Sequence, residues 1–160
     1  MTFKISKYFL ATLLFIVGGG VVALLIYKTY SVSDNTQTSA MFAGVSLNLD
    51  YATTEVSRER GLGGRTNIPD NYGMLFIFPK DDLYGFWMKD TLVSLDIFWL
   101  DTNGRVVSVA ENVMPSSYPN VFYPTIPARY VLETVAGFAH MHGVATGTPL
   151  VLKNFPIVTE

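Results

Sequence analysis

The sequence predicts a mainly β domain of the α+β class, preceded by one N-terminal transmembrane helix. Three observations support this prediction. Residues 8–27 form an uncharged, apolar run. Several later segments alternate apolar and polar residues, or are short apolar runs bounded by glycine and proline, and both patterns are typical of β-strands. Only two short segments have helix signals, so we expect a compact antiparallel or mixed sheet, which can form a partly closed barrel, with two short helices.

The apolar run is long enough to cross a membrane, because about 20 apolar residues span the hydrocarbon core as a helix. A cleaved signal peptide has a shorter apolar region, followed by a cleavage site of small residues. The nearest such site is Thr38-Ser39-Ala40, which lies well beyond the run. We therefore expect residues 1–28 to be an uncleaved signal anchor, and secretion after cleavage is the alternative.

Basic residues around the run predict its orientation. Lys4 and Lys7 precede it, and only Lys28 follows it closely. Because basic residues accumulate on the cytoplasmic side, we expect a cytoplasmic N-terminus, a span over residues 8–27 that contacts the membrane, and an extracytoplasmic C-terminal domain. The chain has no cysteine, which is compatible with an oxidising compartment.

The charge balance of the remaining chain argues against one class of partner. All 13 acidic residues follow Lys28, against 8 of the 11 basic ones. Nucleic-acid binding requires a basic face, and no cluster of lysine or arginine interrupts this acidic part. We therefore expect no nucleic-acid partner.

The first elements of the domain follow a polar segment. Residues 29–40 are rich in serine and threonine and predict a linker, which leaves residues 41–160 as the folded domain. Residues 45–51 alternate with a period of two and predict a half-buried strand. A Thr-Thr pair can then cap a short helix over residues 55–60, and Gly61 would end it.

The middle of the chain predicts further β segments. Residues 63–72 contain two glycines and a proline and predict a loop, whereas residues 74–78 are a continuous apolar run typical of a strand buried on both faces. We expect residues 86–88 to be another strand or extended segment. Residues 95–100 and 106–113 flank an Asn-Gly turn and predict a hairpin.

The C-terminal part begins with a long irregular connection. Residues 114–127 contain several prolines with serine and asparagine, and loops of this length are often functional or mobile. Beyond them we expect a strand over residues 130–135, two turns of helix over residues 136–142 and a last strand over residues 148–153.

The segment that starts at Trp87 departs most from a plain hydrophobic pattern. Trp87 and Lys89 would share one face of an extended segment, which could form a stacking platform beside a cation. Asp90 and Thr91 follow directly, and this combination suits a sugar or a small polar anion. The alternative is a β-turn, with Trp87 in the core and Lys89 in solvent.

Two carboxylates interrupt apolar strands, and burying a charge costs free energy unless it is paired. Asp96 is either a site carboxylate or a structural residue that accepts backbone N–H bonds or pairs with an arginine. Glu133 is either a site residue or a strand-edge or solvent-exposed residue. Its candidate partners are Arg58, Arg60, Arg65 and Arg129.

Other reactive residues form no recognisable site in the sequence. His140 and His142 fall on a predicted helix, where positions i and i+2 do not face each other, so we expect no metal site. Ser116 and Ser117 lack the G-x-S-x-G context of a serine nucleophile. The sequence has no phosphate loop and no dinucleotide fingerprint, and we expect no cofactor.

Five short motifs together resemble those of the prokaryotic domain-of-unknown-function family 192. They are Arg58-Glu59-Arg60-Gly61-Leu62, Gly73-Met74-Leu75-Phe76, Phe86-Trp87-Met88-Lys89-Asp90-Thr91, Leu95-Asp96-Ile97, and Tyr130-Val131-Leu132-Glu133 with Ala136-Gly137. The resemblance implies a single mainly β domain, often exported behind a signal sequence or anchor, with no agreed activity.

The resemblance also implies a shared pocket. The recurring polar positions of the family correspond here to Arg65, Trp87, Lys89, Thr91, Asp96 and Glu133. This chain departs from the family pattern at Asp90, where asparagine is usual, and at Gly63-Gly64, where methionine and a bulky residue are usual.

Three functional hypotheses follow from these residues. The first is a membrane-anchored, extracytoplasmic module that binds a small polar ligand or an envelope partner near Trp87, Lys89 and Asp96. The second is a cell-envelope hydrolase or lyase with Asp96 or Glu133 as acid or base. The third is a structural module that functions through protein contacts.

Overall fold

The computed structural model describes residues 13–17, 20–24 and 38–158, in two separate units. In the first unit, β1 (Leu13–Val17) pairs antiparallel with β2 (Gly20–Leu24). The predicted transmembrane helix over residues 8–27 relies on residues outside the described ones and stays a prediction. Among the described residues, no helix combines the length and the apolar character needed to span a membrane.

The second unit contains the remaining elements, and most of its residues are in strands or their connections. In chain order these are β3 (Thr38–Phe42), β4 (Val45–Ala52), α1 (Glu55–Arg60), β5 (Tyr72–Asp82), β6 (Leu95–Leu100), β7 (Val106–Val113), a 3-10 turn (Pro115–Ser117), β8 (Ala128–Val135), α2 (Phe138–His142) and β9 (Leu150–Val151).

The seven strands β3 to β9 form one mixed, curled sheet in the order β7-β6-β8-β5-β4-β3-β9. All pairs are antiparallel except β4 and β5, which are parallel because α1 and its following loop carry the chain back across the sheet. The two edge strands approach each other at one end. There the Val106 N–H donates to the Thr148 carbonyl at 3.0 Å, and the Leu150 N–H donates to the Gly104 carbonyl at 2.8 Å. The sheet is therefore a half-barrel, which confirms the predicted mainly β fold with two short helices.

Apolar side chains are buried on both faces of the sheet. One core contains Phe42, Leu75, Phe98 and Leu132, and the short helix α2 covers it through Phe138. The other core is covered by the loops on either side of β5, and it contains Leu62, Phe76, Phe86, Ile97, Trp99 and Val131. The second core borders the site described below.

The sequence predicted several element bounds correctly. α1, β6 and β7 have the predicted limits, and β4 extends the predicted strand by one residue. β5 is buried over its first half, as expected for an apolar run, but continues to Asp82 through an irregularity in its pairing with β8.

One strand lies inside the segment predicted as a linker. β3 begins at Thr38, and its Ala40 and Phe42 side chains are buried while Ser39 and Met41 are exposed. The serine and threonine content hid this alternation, because composition alone does not distinguish a polar edge strand from a loop. The linker over residues 29–40 therefore ends earlier than predicted.

Residues 86–88, predicted to be a strand or an extended segment, do not form a strand. Phe86 alone makes a bridge, with Phe122, through a pair of 2.8 Å backbone hydrogen bonds. The segment then enters a turn, in which the Thr91 N–H donates to the Met88 carbonyl at 3.2 Å. Two C-terminal elements are also shorter than predicted: α2 starts after Gly137, whose φ is +91°, and β9 spans two residues.

Candidate functional site

A cavity of about 440 Å³ opens between α1, the middle of β5 and the loop that follows β5. Its wall is aromatic, with Phe76, Phe78, Tyr84, Phe86 and Trp87. Its polar and charged lining consists of Glu55, Arg58, Glu59, Arg60, Lys89, Thr91 and Glu133. An apolar wall with a few convergent polar groups is the usual character of a small-molecule site.

Glu133 lies in the buried part of this lining. It is on β8, where β5 and β6 flank it with Met74 and Ile97 as its direct neighbours. Only 4% of the residue is exposed, and its Oε2 atom has no hydrogen-bond partner within residues 38–158. Because native structures satisfy the great majority of buried polar atoms, an unpartnered atom in a cavity lining makes Glu133 a candidate site residue.

The environment of Glu133 favours its neutral form. Burial raises the pKa of its carboxyl to about 8, and a backbone hydrogen bond from Leu62 opposes this only in part. At neutral pH the side chain is therefore mainly a carboxylic acid, which can donate a hydrogen bond as well as accept one.

The absence of a side chain at position 61 keeps the space beside Glu133 open. Gly61 ends α1 with a φ of +49°, a backbone conformation that side chains rarely adopt. A Cβ atom there would lie 3.6 Å from Oε2 of Glu133 and 3.3 Å from the ring of Phe76. The glycine that the sequence identified as a helix end therefore also borders the carboxyl.

No arginine neutralises Glu133, although four were candidate partners. Arg65 pairs with Asp50 at 3.0 Å and Arg129 pairs with Asp81 at 2.6 Å. Arg58 is held by two backbone carbonyls and lies 5.1 Å from the ring centre of Phe78. Arg60 is exposed and forms no ion pair in the part of the chain that the structure describes.

The rings of the aromatic wall pack against one another. Phe78 stacks on Tyr84 with ring centres 3.5 Å apart, and Phe76 meets Phe86 edge to face at 4.8 Å. Trp87 is 47% exposed and packs edge to face against Tyr118 at 6.4 Å. Such surfaces favour a ligand with a flat or apolar body.

The segment from Trp87 to Thr91 contributes two further site residues. Lys89 is exposed at the cavity edge, and Thr91 is buried in the lining, where its hydroxyl donates to the Lys89 carbonyl at 3.3 Å. The segment is a turn with Lys89 exposed, as in the second hypothesis, but Trp87 is not in the core. Trp87 and Lys89 border the same cavity, and the stacking platform stays a prediction.

A second, shallower depression adjoins the first. It shares Glu59, Arg60 and Lys89 with the cavity and adds Asp90, whose φ is +55°. The Asp90 carbonyl accepts a 2.9 Å hydrogen bond from the Gly64 N–H, so the turn is tied to the loop after α1. The Gly63-Gly64 pair, which departs from the family pattern, lines this depression.

Asp96 lies away from the cavity, on the opposite face of the sheet. It pairs across β6 and β8 with Thr134, whereas its neighbour Ile97 pairs with Glu133, and adjacent strand residues face opposite sides. Its Oδ1 atom accepts from the Asn112 N–H at 2.7 Å and its Oδ2 atom from the Ala139 N–H at 2.8 Å. Asp96 thus has the structural environment that was the alternative to a site role.

Arg65 also lies outside the cavity lining. Its guanidinium pairs with Asp50 and covers the ring of Tyr72 at 4.8 Å, and the Tyr72 hydroxyl donates to the same carboxylate. Burial and this hydrogen bond raise the pKa of Tyr72 above its usual value. The cluster connects β4, β5 and the loop before β5.

The structure therefore brings four of the seven sequence-identified residues to one cavity, namely Trp87, Lys89, Thr91 and Glu133, and places Asp90 in the adjoining depression. Sequence analysis did not assign the helix residues to the site, nor the aromatic residues other than Trp87. The available signal was the alternation of Phe76 and Phe78 toward one face of β5.

Comparisons with known proteins place the domain among relatives of similar fold. A model of domain of unknown function 192 (DUF192), described as an uncharacterized ACR, matches residues 36–152. A protein of Sinorhizobium meliloti 1021, named a candidate transcription regulator, has a similar structure with a TM-score of 0.66 and 29% identity, covering 71% of this chain and 89% of that one.

A protein of unknown function from Novosphingobium aromaticivorans DSM 12444 is similarly related. Its TM-score is 0.65 at 29% identity, over 71% of this chain and 81% of that chain. No curated protein matches the sequence.

Proposed function

The chain belongs to the DUF192 family, and from this premise we propose that its domain is a binding module that takes a small polar ligand into the cavity over Glu133. The observation that carries the proposal is the buried Glu133 carboxyl, which borders the cavity with one oxygen unpartnered among residues 38–158. A ligand atom at that position would complete its hydrogen bonding.

The chemistry of the lining restricts the ligand. A neutral Glu133 presents an O–H donor, so the ligand should have an oxygen acceptor where it meets this residue. The packed rings of Phe76, Phe78 and Phe86 favour a cyclic or flat body between that acceptor and the cavity mouth. A volume of about 440 Å³ suits a molecule of metabolite size.

The location of the module remains part of the proposal. A signal anchor over residues 1–28 would hold the domain on the extracytoplasmic side, where an envelope component or an imported small molecule would be its ligand. The uncharged run and the flanking lysines support this orientation.

An enzyme is the second candidate, because a carboxylic acid with a raised pKa in a cleft is also suited to general acid catalysis. A hydrolase or lyase at this site would use Glu133, with Lys89 stabilising negative charge. Asp96 could not assist, since both of its oxygens bind backbone N–H groups on the other face of the sheet.

The transcription-regulator description of the Sinorhizobium meliloti protein suggests a third role, which we do not favour for this chain. The cavity is lined by cations and carboxylates together, and the chain beyond Lys28 has more acidic than basic residues. Nucleic-acid binding relies on a continuous basic surface.

A thermal-shift screen of the full-length protein tests the proposal. The panel contains sugars, peptidoglycan fragments, nucleotides, organic acids, uncharged amides and metal ions. A ligand that binds only the native state raises the melting temperature by mass action. We expect a hit whose shift disappears in Glu133→Met, which removes the donor and keeps the side-chain length.

The control variant is Glu111→Met, which changes an exposed glutamate on β7 in the same way. It should keep the shift. A hit that survives Glu133→Met, or a panel without hits on a cooperatively folding protein, would contradict binding at this cavity and favour the structural module.

A further inference from the structure

Two exposed cations in the cavity lining, Arg60 and Lys89, indicate a more specific class of ligand than the small polar molecule proposed above. We infer that the ligand is a small organic monocarboxylate whose charged end meets Arg60 and Lys89 and whose uncharged oxygen meets Glu133. This inference rests on the proposed function, because it identifies the ligand of the same cavity.

The first argument is the availability of the two cations. Arg58 also lines the cavity, but its guanidinium is occupied by the carbonyls of Thr53 and Ile77 at 2.8 and 2.9 Å. Arg60 and Lys89 are exposed and have no ion pair within residues 38–158. Both can therefore turn their charges toward an anionic group at the mouth.

The second argument is the balance of charge around them. Apart from Glu133, the cavity lining contains three cations and the two carboxylates of Glu55 and Glu59. The excess is a single positive charge. The adjoining depression shares Glu59, Arg60 and Lys89 with this lining and adds Asp90, so the two linings together, again apart from Glu133, hold three cations and three carboxylates. Because each further negative charge on a ligand would meet these carboxylates, a singly charged ligand is favoured over a polyanion such as a nucleotide triphosphate.

The third argument is the difference in exposure between the two polar regions of the lining. Arg60 and Lys89 are exposed, whereas Glu133 and the rings of Phe76 and Phe86 in the same lining are buried. A ligand that satisfies both polar regions needs a carboxylate at one end, an apolar body, and a hydroxyl or carbonyl oxygen at the other. The carboxylate cannot take the inner position, because its charge would be desolvated there without a cation.

The test uses three probes that differ by one group each: 4-hydroxybenzoate, its uncharged analogue 4-hydroxybenzamide, and benzoate, which lacks the second oxygen. Isothermal titration calorimetry measures their dissociation constants with the full-length protein at pH 6.5. We expect 4-hydroxybenzoate to bind about 5- to 10-fold more tightly than the amide, since two exposed ion pairs contribute about 1 kcal/mol together.

Variants show which residues cause the differences in affinity. In the double variant Arg60→Gln with Lys89→Gln, 4-hydroxybenzoate and 4-hydroxybenzamide should have similar dissociation constants. The unmodified protein should bind 4-hydroxybenzoate more tightly than benzoate, and Glu133→Met should remove this difference. Lys153→Gln, at an exposed lysine that does not line the cavity, should leave all three constants unchanged.

The outcomes separate the inference from the proposed function. Equal binding of 4-hydroxybenzoate and its amide to the unmodified protein would overturn the inference and leave the cavity a ligand site. Failure of all three probes, while the screen gives a Glu133-dependent hit of another class, would overturn the inference alone. Failure of the probes together with an empty screen would contradict both.

Discussion

At the level of single residues, the two buried carboxyls on adjacent strands have different environments. Asp96 accepts hydrogen bonds from two backbone N–H groups, at Asn112 and Ala139. Glu133 receives one such bond, from Leu62, and leaves Oε2 without a partner among the described residues. The first is a stable structural arrangement, whereas the second is a group whose hydrogen bonding a ligand can complete.

The raised pKa of Glu133 makes stability depend on pH. The folded protein keeps this proton up to a pH of about 8, whereas the unfolded chain releases it near its ordinary value of 4.5. The folded state therefore binds more protons in this window, and the free energy of unfolding should fall as pH rises through it, by at most about 1.4 kcal/mol per pH unit. Urea unfolding between pH 5 and 8 measures this slope.

The variant Glu133→Gln should remove this contribution, so its stability relative to the unmodified protein should increase from pH 5 to pH 8. Glu111→Gln, at an exposed position, is the matched control and should preserve the slope. If Glu133→Gln and the unmodified protein show parallel pH profiles, Glu133 is not a neutral buried acid.

Asp96→Asn should lower stability without affecting the cavity. The amide can accept from one of the two N–H groups but presents its own donors to the other, which costs about 2–4 kcal/mol for a lost charged hydrogen bond and an unsatisfied buried donor. The exposed Asp70→Asn is the control. Chemical denaturation gives the stability, and ligand affinity should be unchanged because Asp96 is on the other face.

The sequence identified both carboxyls as unusual but did not assign their roles. Each interrupts an apolar strand, and a single strand pattern gives no register between β6 and β8. The register places Ile97, and not Asp96, beside Glu133. A displacement of β6 by one residue in this pairing would have placed Asp96 opposite Glu133, on the cavity face.

At the level of elements, α1 and its following loop build one side of the cavity. Thr54 caps the helix through a 3.1 Å bond from the Ser57 N–H, and the Ser57 hydroxyl accepts from the Thr54 N–H in return. Gly61 ends the helix beside Glu133. The cap at Thr54 and the glycine at position 61 lie directly at the two ends of the helix, so the limits of α1 could be predicted from the sequence.

Thr54→Ala should destabilise the domain by about 1 kcal/mol, because it removes the cap of α1. The same variant should weaken ligand binding, since Arg58 and Arg60 depend on this helix for their positions in the cavity wall. Thermal unfolding and calorimetric titration measure the two effects. Thr53→Ala, which keeps the cap, should change neither by more than a few tenths of a kcal/mol; equal effects of the two variants would exclude the capping explanation.

Elements that depend on distant partners were predicted less well. β3 is polar at its start. It forms a tight hairpin with β4, but its other partner is β9, which lies far away in the chain. The segment after Gly85 has strand-like residues but only the single bridge to Phe122, because the turn at Asp90 directs the chain toward Gly64. In β3 and in the segment after Gly85, tertiary contacts determined whether the residues form a strand.

At the level of the whole molecule, the two faces of the half-barrel are covered differently. One core is covered by α2, whose Ala139 N–H donates to Asp96, and the other core adjoins the cavity. The mainly β class and both short helices were predictable from periodicity and caps. The cavity was not, because it is formed by α1, β5, the turn at Asp90 and β8, which are far apart in the chain.

The anchor prediction has a direct test, because the chain contains no cysteine. Single substitutions Ile157→Cys, at a residue that is 84% exposed, and Ser6→Cys, before the apolar run, would place one thiol on each side of the membrane. We expect a membrane-impermeant maleimide to label Ile157→Cys in intact spheroplasts and Ser6→Cys only after lysis. The reverse pattern would invert the orientation, and recovery of the full-length protein in the soluble fraction would contradict the anchor.

The most direct measurement is the titration of the Glu133 carboxyl by ¹³C NMR in the full-length protein, assigned by the loss of its signal in Glu133→Gln. We expect a pKa of about 8 in the free protein and a higher one when 4-hydroxybenzoate is bound, because a ligand that accepts a hydrogen bond from the neutral acid favours the protonated form. A pKa near 4.5 that no ligand in the panel shifts would contradict a protonated, ligand-binding Glu133.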